Sequence, residues 1–176
     1  MSGFDNQLKL THVFHERGTS LKSLIGTGTS DAAFRECTSL EYFEMPESLR
    51  EIQQYSFRNA KLKILNFNKG LIAIGKNAFA GMTGGLSLIH IPGSVTTIDG
   101  NAFAWHKPFY SYVQFGGEGD PTQITSLTNT AFAGNYNTDV ISEITYYSNS
   151  VPDANVVDLL SKLDRKADFN ISGKQA

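Results

Sequence analysis

A short phrase that recurs at a nearly constant interval constrains this chain more than any other feature. Asn77-Ala78-Phe79-Ala80 returns as Asn101-Ala102-Phe103-Ala104. The Ala-Phe or Ser-Phe pair inside it occurs five times, and the steps between successive phenylalanines are 23, 22, 24 and 29 residues. The five phenylalanines are Phe34, Phe57, Phe79, Phe103 and Phe132. A period of about 20–50 residues is typical of proteins built from stacked repeats.

Each copy carries the same apolar pattern after its phenylalanine. The pattern begins with three apolar residues: two residues separate the first from the second, and one residue separates the second from the third. In the first four copies a pair of apolar residues follows, with two residues between its members. The triplets are Leu40/Phe43/Met45, Leu62/Leu65/Phe67, Leu86/Ile89/Ile91, Tyr110/Val113/Phe115 and Ile141/Ile144/Tyr146, and the pairs are Leu49/Ile52, Leu71/Ile74, Val95/Ile98 and Ile124/Leu127. The last step is long because "GGEGDPTQ" inserts a loop before its pair.

This pattern predicts a coil rather than a helix or an ordinary sheet. The last two members of each triplet have one residue between them, and this alternation of apolar residues is typical of a short strand. Pro or Gly in "MPES", "FNKG" and "IPGS" then turns the chain. A helix is excluded because Gly and Pro interrupt every apolar run before two turns are complete. One coil cannot bury its own apolar side, whereas five stacked coils form a continuous core with a phenylalanine at each level.

The repeats resemble the BspA-type leucine-rich repeat, whose consensus runs roughly AF-x-x-C-x-S-L-x-x-I-x-I-P-x-S-V-x-x-I-G. The resemblance is carried by "AFRECTSLEYFEMPESLREI" and "AFAGMTGGLSLIHIPGSVTTIDGNAF", and it covers about residues 31–148. Cys37 and Ser39-Leu40 fall on the consensus positions, while "RNAK", "AWHKP" and "AGNYN" depart from them. The resemblance implies a leucine-rich-repeat solenoid with a narrow parallel β-sheet, one short strand per coil, and irregular or 3₁₀ turns on the other sides. It also implies a non-enzymatic recognition or structural module, commonly on cell surfaces.

The chain divides into four segments on the same grounds. Residues 1–30 fit a degenerate N-terminal cap coil, and residues 31–150 hold the five repeats. Residues 151–167 predict a C-terminal capping α-helix, because Val156, Leu160 and Leu163 share one face. Residues 168–176 form a polar tail, and "KLDRKADFNIS" is faintly similar to linker segments of bacteriophage fibre proteins.

Composition limits the function classes. The net charge of −2 gives no basic excess for nucleic acid, no stretch reaches the roughly 20 apolar residues of a membrane span, and no signal peptide is visible. The single cysteine, Cys37, excludes an internal disulfide and is expected to be a small buried hydrophobe.

No catalytic, metal or cofactor site is predicted. His12 and His15 would face opposite sides of a strand, so a metal pair is disfavoured and solvated histidines are favoured. "GTGTS" and "FGGEGDP" are Gly-rich, but neither follows a strand and opens a helix as a phosphate loop must. Asn77 and Asn101 are expected to stabilise turns.

The outward residues of the predicted strands give the candidate binding face, since neighbours of inward residues must point to solvent. Two rows result, and the first is apolar over four consecutive coils, which indicates an interaction surface. The first row is Tyr42, Ile64, Leu88 and Tyr112, followed by Glu143; the second row is Glu44, Asn66, His90, Gln114 and Thr145, with Tyr147 beyond it. The partner-binding prediction takes all of these except Glu143 and Thr145.

The predicted function is recognition of a protein or a glycan through this face. The alternatives are a structural or decoration subunit of a larger particle such as a bacteriophage virion, with host-surface attachment, and an enzyme, which is disfavoured. The partner prediction also includes a homo-oligomer or a larger assembly. The expected location is a virion or cell surface as part of an assembly, and otherwise the cytoplasm.

Overall fold

The protein is described from a computed structural model, in which residues 3–105, 111–134, 141–149, 154 and 156–158 are described. Between residues 12 and 146 the described residues form short strands joined by turns. The strands are β1 (His12–Val13), β2 (Ser23–Leu24), β3 (Gly26–Gly28), β4 (Asp31–Ala32), β5 (Tyr42–Phe43), β6 (Glu51–Ile52), β7 (Ile64–Asn66), β8 (Ala73–Ile74), β9 (Leu88–Ile91), β10 (Thr97–Ile98), β11 (Ser111–Phe115), β12 (Ser126–Leu127) and β13 (Ile141–Tyr146).

The predicted narrow parallel sheet with one short strand per coil is confirmed. Strands β7, β9, β11 and β13 pair in parallel in that spatial order, and β1 pairs in parallel with β5 in the two preceding coils. The register places Leu65 beside Ile89 and Ile89 beside Val113, so the inward residues of successive coils lie side by side. We call the solvent side of these six strands the front face.

A second parallel sheet lies along the side of the coils that holds the apolar pairs, such as Leu49/Ile52 and Leu71/Ile74. Strands β2, β6, β8, β10 and β12 pair in sequence, and the register joins Leu24 to Ile52 and Ile52 to Ile74. Irregular or 3₁₀ turns are the expectation from the sequence on this side. The sheet forms because each extended two-residue segment meets its copy in the next coil and pairs its backbone groups there. We call it the back sheet.

The phenylalanines of the repeat form one continuous stack through the core. Neighbouring rings lie 5.1–5.5 Å apart between centroids, with interplanar angles of at most 17°. The stack contains the five predicted phenylalanines and adds a sixth: Phe4, Phe34, Phe57, Phe79, Phe103 and Phe132. Phe4 shows that residues 4–24 already form a coil in register with the repeats.

Backbone hydrogen bonds join successive turns beside this stack. The amide of Phe34 donates to the carbonyl of Ser56 at 2.7 Å, and that of Phe57 donates to Ala78 at 2.8 Å. Asn77 and Asn101, two residues before their phenylalanines, have φ angles of 55° and 59°. They therefore occupy left-handed turn positions, which asparagine tolerates better than most residues.

The two ends of the described stack differ. At the N-terminal end Phe4 is 39% exposed and Leu8 is 57% exposed, whereas Phe132 and Tyr146 at the other end are buried. Of the predicted helix at 151–167, the described residues 154 and 156–158 are helical, and Val156 is buried against the core. The rest of that helix, the tail 168–176 and Tyr110 lie outside the described residues.

Candidate binding face

The strand register places three members of the first predicted row on one line across the front face. Ile64 lies beside Leu88, and Leu88 lies beside Tyr112. Tyr42 is 45% exposed and Ile64 is 58% exposed, whereas Leu88 and Tyr112 are half-buried. The apolar row is therefore present, but it opens to solvent mainly in its N-terminal half.

The second row also follows the register. Asn66 lies beside His90, and His90 lies beside Gln114. Asn66 is exposed, and Glu44, His90, Gln114 and Tyr147 are half-buried. Thr145 lies beside Gln114 in the register, so it takes the predicted outward position, but it is covered and only 5% exposed. The side chain of Glu143 lies outside the described residues.

The C-terminal half of the face is held by hydrogen bonds within the chain. The hydroxyls of Tyr112 and Thr145 lie 2.7 Å apart, which explains why Thr145 is covered. The carbonyl of Gly116 accepts a hydrogen bond from Gln114 Nε2 at 2.8 Å and lies 3.1 Å from His90 Nε2. These polar groups therefore already have hydrogen-bond partners within the chain.

The N-terminal half of the face extends into the first coil. β1 pairs His12 with Tyr42, and the next residues in that register are Phe14 and Glu44. Phe14 is 68% exposed, the largest exposed fraction among the described large hydrophobic residues. Neither His12 nor Phe14 is among the partner-binding residues predicted above. The sequence did contain a sign of this first coil, because Leu10 and Val13 have the same spacing as the first two members of each triplet.

Three rings contact each other at this end of the face, and we call them the aromatic cluster: His12, Phe14 and Tyr42. Phe14 and Tyr42 have centroids 5.4 Å apart, and His12 lies 6.1 Å from Tyr42 and 6.2 Å from Phe14. The rings are inclined by 11–39° to one another. They form a continuous exposed aromatic surface without room for a ligand between the rings.

Charged groups border the aromatic cluster. Glu41 forms ion pairs with Lys61 and Lys63, each with an N–O distance of 2.8 Å. These hydrogen bonds lower the pKa of Glu41 to about 2, and the positive charge of the two lysines adds to the effect. Glu41, Tyr42, Glu44 and Ile64 line a shallow depression of about 520 Å³.

Glu44 has a different environment from Glu41. Its carboxylate accepts a hydrogen bond from the backbone amide of His15 at 3.4 Å, and the ring of His15 lies 3.7 Å away. Among the described residues His15 is the one basic side chain within 4 Å of Glu44. Unlike Glu41, Glu44 has no lysine or arginine side chain within 4 Å among the described residues.

Cys37 is fully buried, as expected. Its thiol donates a hydrogen bond to the carbonyl of Phe4 at 2.9 Å, and burial raises its pKa. Because the thiolate is the reactive form, this environment disfavours reaction at Cys37.

The Gly-rich segments serve as loops. "GTGTS" belongs to the β3–β4 hairpin, and Asp120 of the inserted loop accepts a hydrogen bond from the amide of Gly93 at 3.1 Å. Within the described residues no group of three or more His, Cys, Asp or Glu side chains could hold a metal ion. No helix among those residues has the length and apolar character to cross a bilayer.

Comparison with known protein families gives one match. The family described as BspA type Leucine rich repeat region matches residues 27–151, in six copies. The pattern described above places five copies within residues 31–150. No curated protein and no solved structure matches the chain.

Proposed function

Because the chain belongs to the BspA-type leucine-rich repeat family, we propose that it is a recognition module that binds another protein through its front face. Proteins of this leucine-rich-repeat family are generally non-enzymatic, and the presence of the repeats suggests protein binding. The binding surface combines the predicted rows with the aromatic cluster. Its exposed part runs from Phe14 through Tyr42 to Ile64.

The observation that carries this proposal is the contiguous exposed apolar surface across successive coils. Phe14, Tyr42 and Ile64 are 68%, 45% and 58% exposed; the rings of Phe14 and Tyr42 lie 5.4 Å apart, and Tyr42 and Ile64 line one depression. Single exposed apolar residues are ordinary, but a contiguous group beside polar residues usually marks an interaction site. Tyrosine is also a common anchor at interfaces. Ile64 adds a rigid aliphatic group next to Tyr42 in the same depression.

A selection experiment tests the proposal without requiring the natural partner. Binders are selected from a displayed peptide or small-protein library against the full chain, and their affinities are measured for Ile64→Ser and Tyr42→Ser. We expect each variant to weaken the dominant binders by about tenfold or more, because interface anchors cost over about 1.4 kcal/mol when truncated. The melting temperature should stay close to that of the parent, since both side chains are exposed.

Ile72→Ser is the matched control. Ile72 is 45% exposed and precedes β8 of the back sheet, so its substitution removes a similar side chain from another surface. Binding that depends on Ile72 but not on Ile64 or Tyr42 would contradict the proposal. Tyr112→Ser is a poor probe, because its hydroxyl contacts Thr145 and its loss would disturb the fold.

The exposed N-terminal end of the stack favours a second candidate, a subunit of a larger assembly. Phe4 is 39% exposed and Leu8 is 57% exposed at the end of a ring stack whose other members are buried. Analytical ultracentrifugation over a range of concentrations tests this alternative. Association that disappears in Phe4→Ser and Leu8→Ser variants supports it, and a chain that stays monomeric at all concentrations contradicts it.

A further inference from the structure

One end of the front face carries a specific chemical preference, and this inference rests on the proposed function. We infer that the aromatic cluster and Glu44 together form a subsite for a basic side chain of the partner protein, with arginine the best fit. The subsite is the N-terminal part of the front face, between Phe14, Tyr42 and the carboxylate of Glu44.

The aromatic cluster provides an open ring surface for such a group. Its rings lie 5.4–6.2 Å apart between centroids, so they contact each other and a ligand group can reach only their outer faces. A cation attracted by the ring quadrupole binds in that way, over a ring face within about 6 Å of its centroid. Arginine suits an open face because its planar guanidinium also stacks on aromatic rings.

Glu44 is the carboxylate beside the aromatic cluster that can accept a cation from the partner. Glu41 is already matched by two lysines, Lys61 and Lys63, so it does not require an external partner. Glu44 lies in the same depression as Tyr42 and has only His15 as a basic neighbour within 4 Å among the described residues. Its carboxylate can therefore accept a guanidinium or ammonium group that approaches along the aromatic surface.

A second depression adjoins the first and shares Glu44 with it. This depression, of about 600 Å³, contains Glu44 and Glu47 together with one arginine, Arg17. Arg17 forms no ion pair with a described residue, and the two carboxylates exceed it in charge. Glu44 lines both depressions and has no lysine or arginine within 4 Å among the described residues, so the preference for a basic side chain rests on this carboxylate.

Three labelled octapeptides provide the probe. The first alternates leucine with arginine, the second replaces each arginine with citrulline, and the third replaces it with glutamate. Fluorescence anisotropy with the full chain at about 150 mM salt gives the dissociation constants. We expect the arginine peptide to bind about tenfold or more tightly than the citrulline peptide, and the glutamate peptide to bind most weakly.

Substitutions locate that preference. Glu44→Gln and Tyr42→Leu should each reduce the ratio between the arginine and citrulline peptides by about threefold or more. Glu51→Gln is the matched control, because Glu51 is an exposed carboxylate of the back sheet and its substitution changes the net charge equally. The control should leave the ratio unchanged.

The outcomes separate this inference from the proposed function. If the arginine and citrulline peptides bind equally while Ile64→Ser weakens both, the front face binds but the basic-side-chain subsite is wrong. The subsite is also wrong if the preference survives Glu44→Gln, if the arginine peptide does not bind at millimolar concentration, or if a glycan displaces it independently of Glu44. If substitutions of Ile64, Tyr42 and Glu44 all leave peptide binding unchanged, the proposed function is contradicted as well.

Discussion

The position two residues after each stacked phenylalanine has an unusual backbone conformation in every coil. Its φ angle is positive at Asn6, Glu36, Asn59, Gly81, Trp105 and Gly134, with values of 53–77°. In this conformation most side chains are strained, and glycine and asparagine are tolerated best. The turn is therefore set by its place in the coil, since even Glu36 and Trp105 adopt it.

Gly81 tests this account of the turn. The residue has a φ angle of 68°, and Asn59 holds the equivalent position one coil earlier. We expect Gly81→Val to cost about 1–3 kcal/mol and Gly81→Asn to cost clearly less, because both add a Cβ that meets the side chain of Asn59 but only the β-branched residue is an outlier in this backbone region. Urea unfolding of both variants gives the comparison. Equal losses of stability would point to crowding by the added Cβ, which meets the side chain of Asn59, and not to backbone strain.

Glu41 predicts a stability change in acid. Lys61 and Lys63 lower its pKa from 4.5 in the unfolded chain to about 2 in the folded one. A lowered folded pKa means that the contribution is complete above pH 4.5 and is lost as the pH falls from about 4.5 to 2. The melting-temperature difference between the parent and Glu41→Gln should therefore be largest near pH 7 and vanish near pH 2. Since these groups are solvent-exposed, high salt should also reduce it, and a pH-independent difference would contradict this assignment.

Among the structural elements, the phenylalanine stack dominates the core. Phe79 is fully buried between Phe57 and Phe103, at centroid distances of 5.3 and 5.5 Å. Phe79→Ala and Phe103→Ala should each lower the free energy of unfolding by about 3–5 kcal/mol, because each removes a complete ring from a closed interior. Chemical denaturation monitored by circular dichroism measures the loss.

Phe4→Ala is the internal comparison for those two variants. Phe4 belongs to the same stack but is 39% exposed, so less apolar area returns to water when its ring is removed. Its cost should be clearly smaller than that of Phe79→Ala. If Phe79→Ala melts within one or two degrees of the parent, the ring does not carry the core.

At the scale of the whole molecule, stability should vary along the solenoid. In a stacked-repeat protein each coil contacts only its neighbours, and a terminal coil has one neighbour instead of two. The first coil illustrates this, because Leu10, Val13 and Leu21 are only partly buried, whereas their counterparts in the central coils are fully buried. Opening should therefore begin in the first coil without unfolding the centre.

Hydrogen exchange measured by mass spectrometry tests this gradient. Amides in residues 4–24 should exchange faster than those in residues 60–104, at a pH and temperature where the chain is folded. Uniform protection along the whole chain would indicate one cooperative unit and contradict the prediction. Protection of residues 4–24 that rises with protein concentration would instead reveal association through the N-terminal end.

The candidate site could be predicted only in part from the sequence. Alternation within each strand was sufficient to place Tyr42, Ile64 and Asn66 on the solvent side, because it depends on local backbone geometry alone. It could not show that Thr145 is covered by the hydroxyl of Tyr112, a residue 33 positions away. Nor could it show that the ring of Phe14 packs against the ring of Tyr42, because alternation within one strand does not give the side-chain contacts between coils.

The repeat period by itself determined the solenoid, its parallel front strands and the phenylalanine at each level, because a coil that cannot bury its own apolar side must stack on copies of itself. Only the tertiary structure decided which outward residues are open. Exposure depends on contacts between coils, and these contacts close the C-terminal half of the front face with hydrogen bonds at Tyr112, His90 and Gln114. They leave Phe14, Tyr42 and Ile64 in water, where their apolar surface is available to a partner.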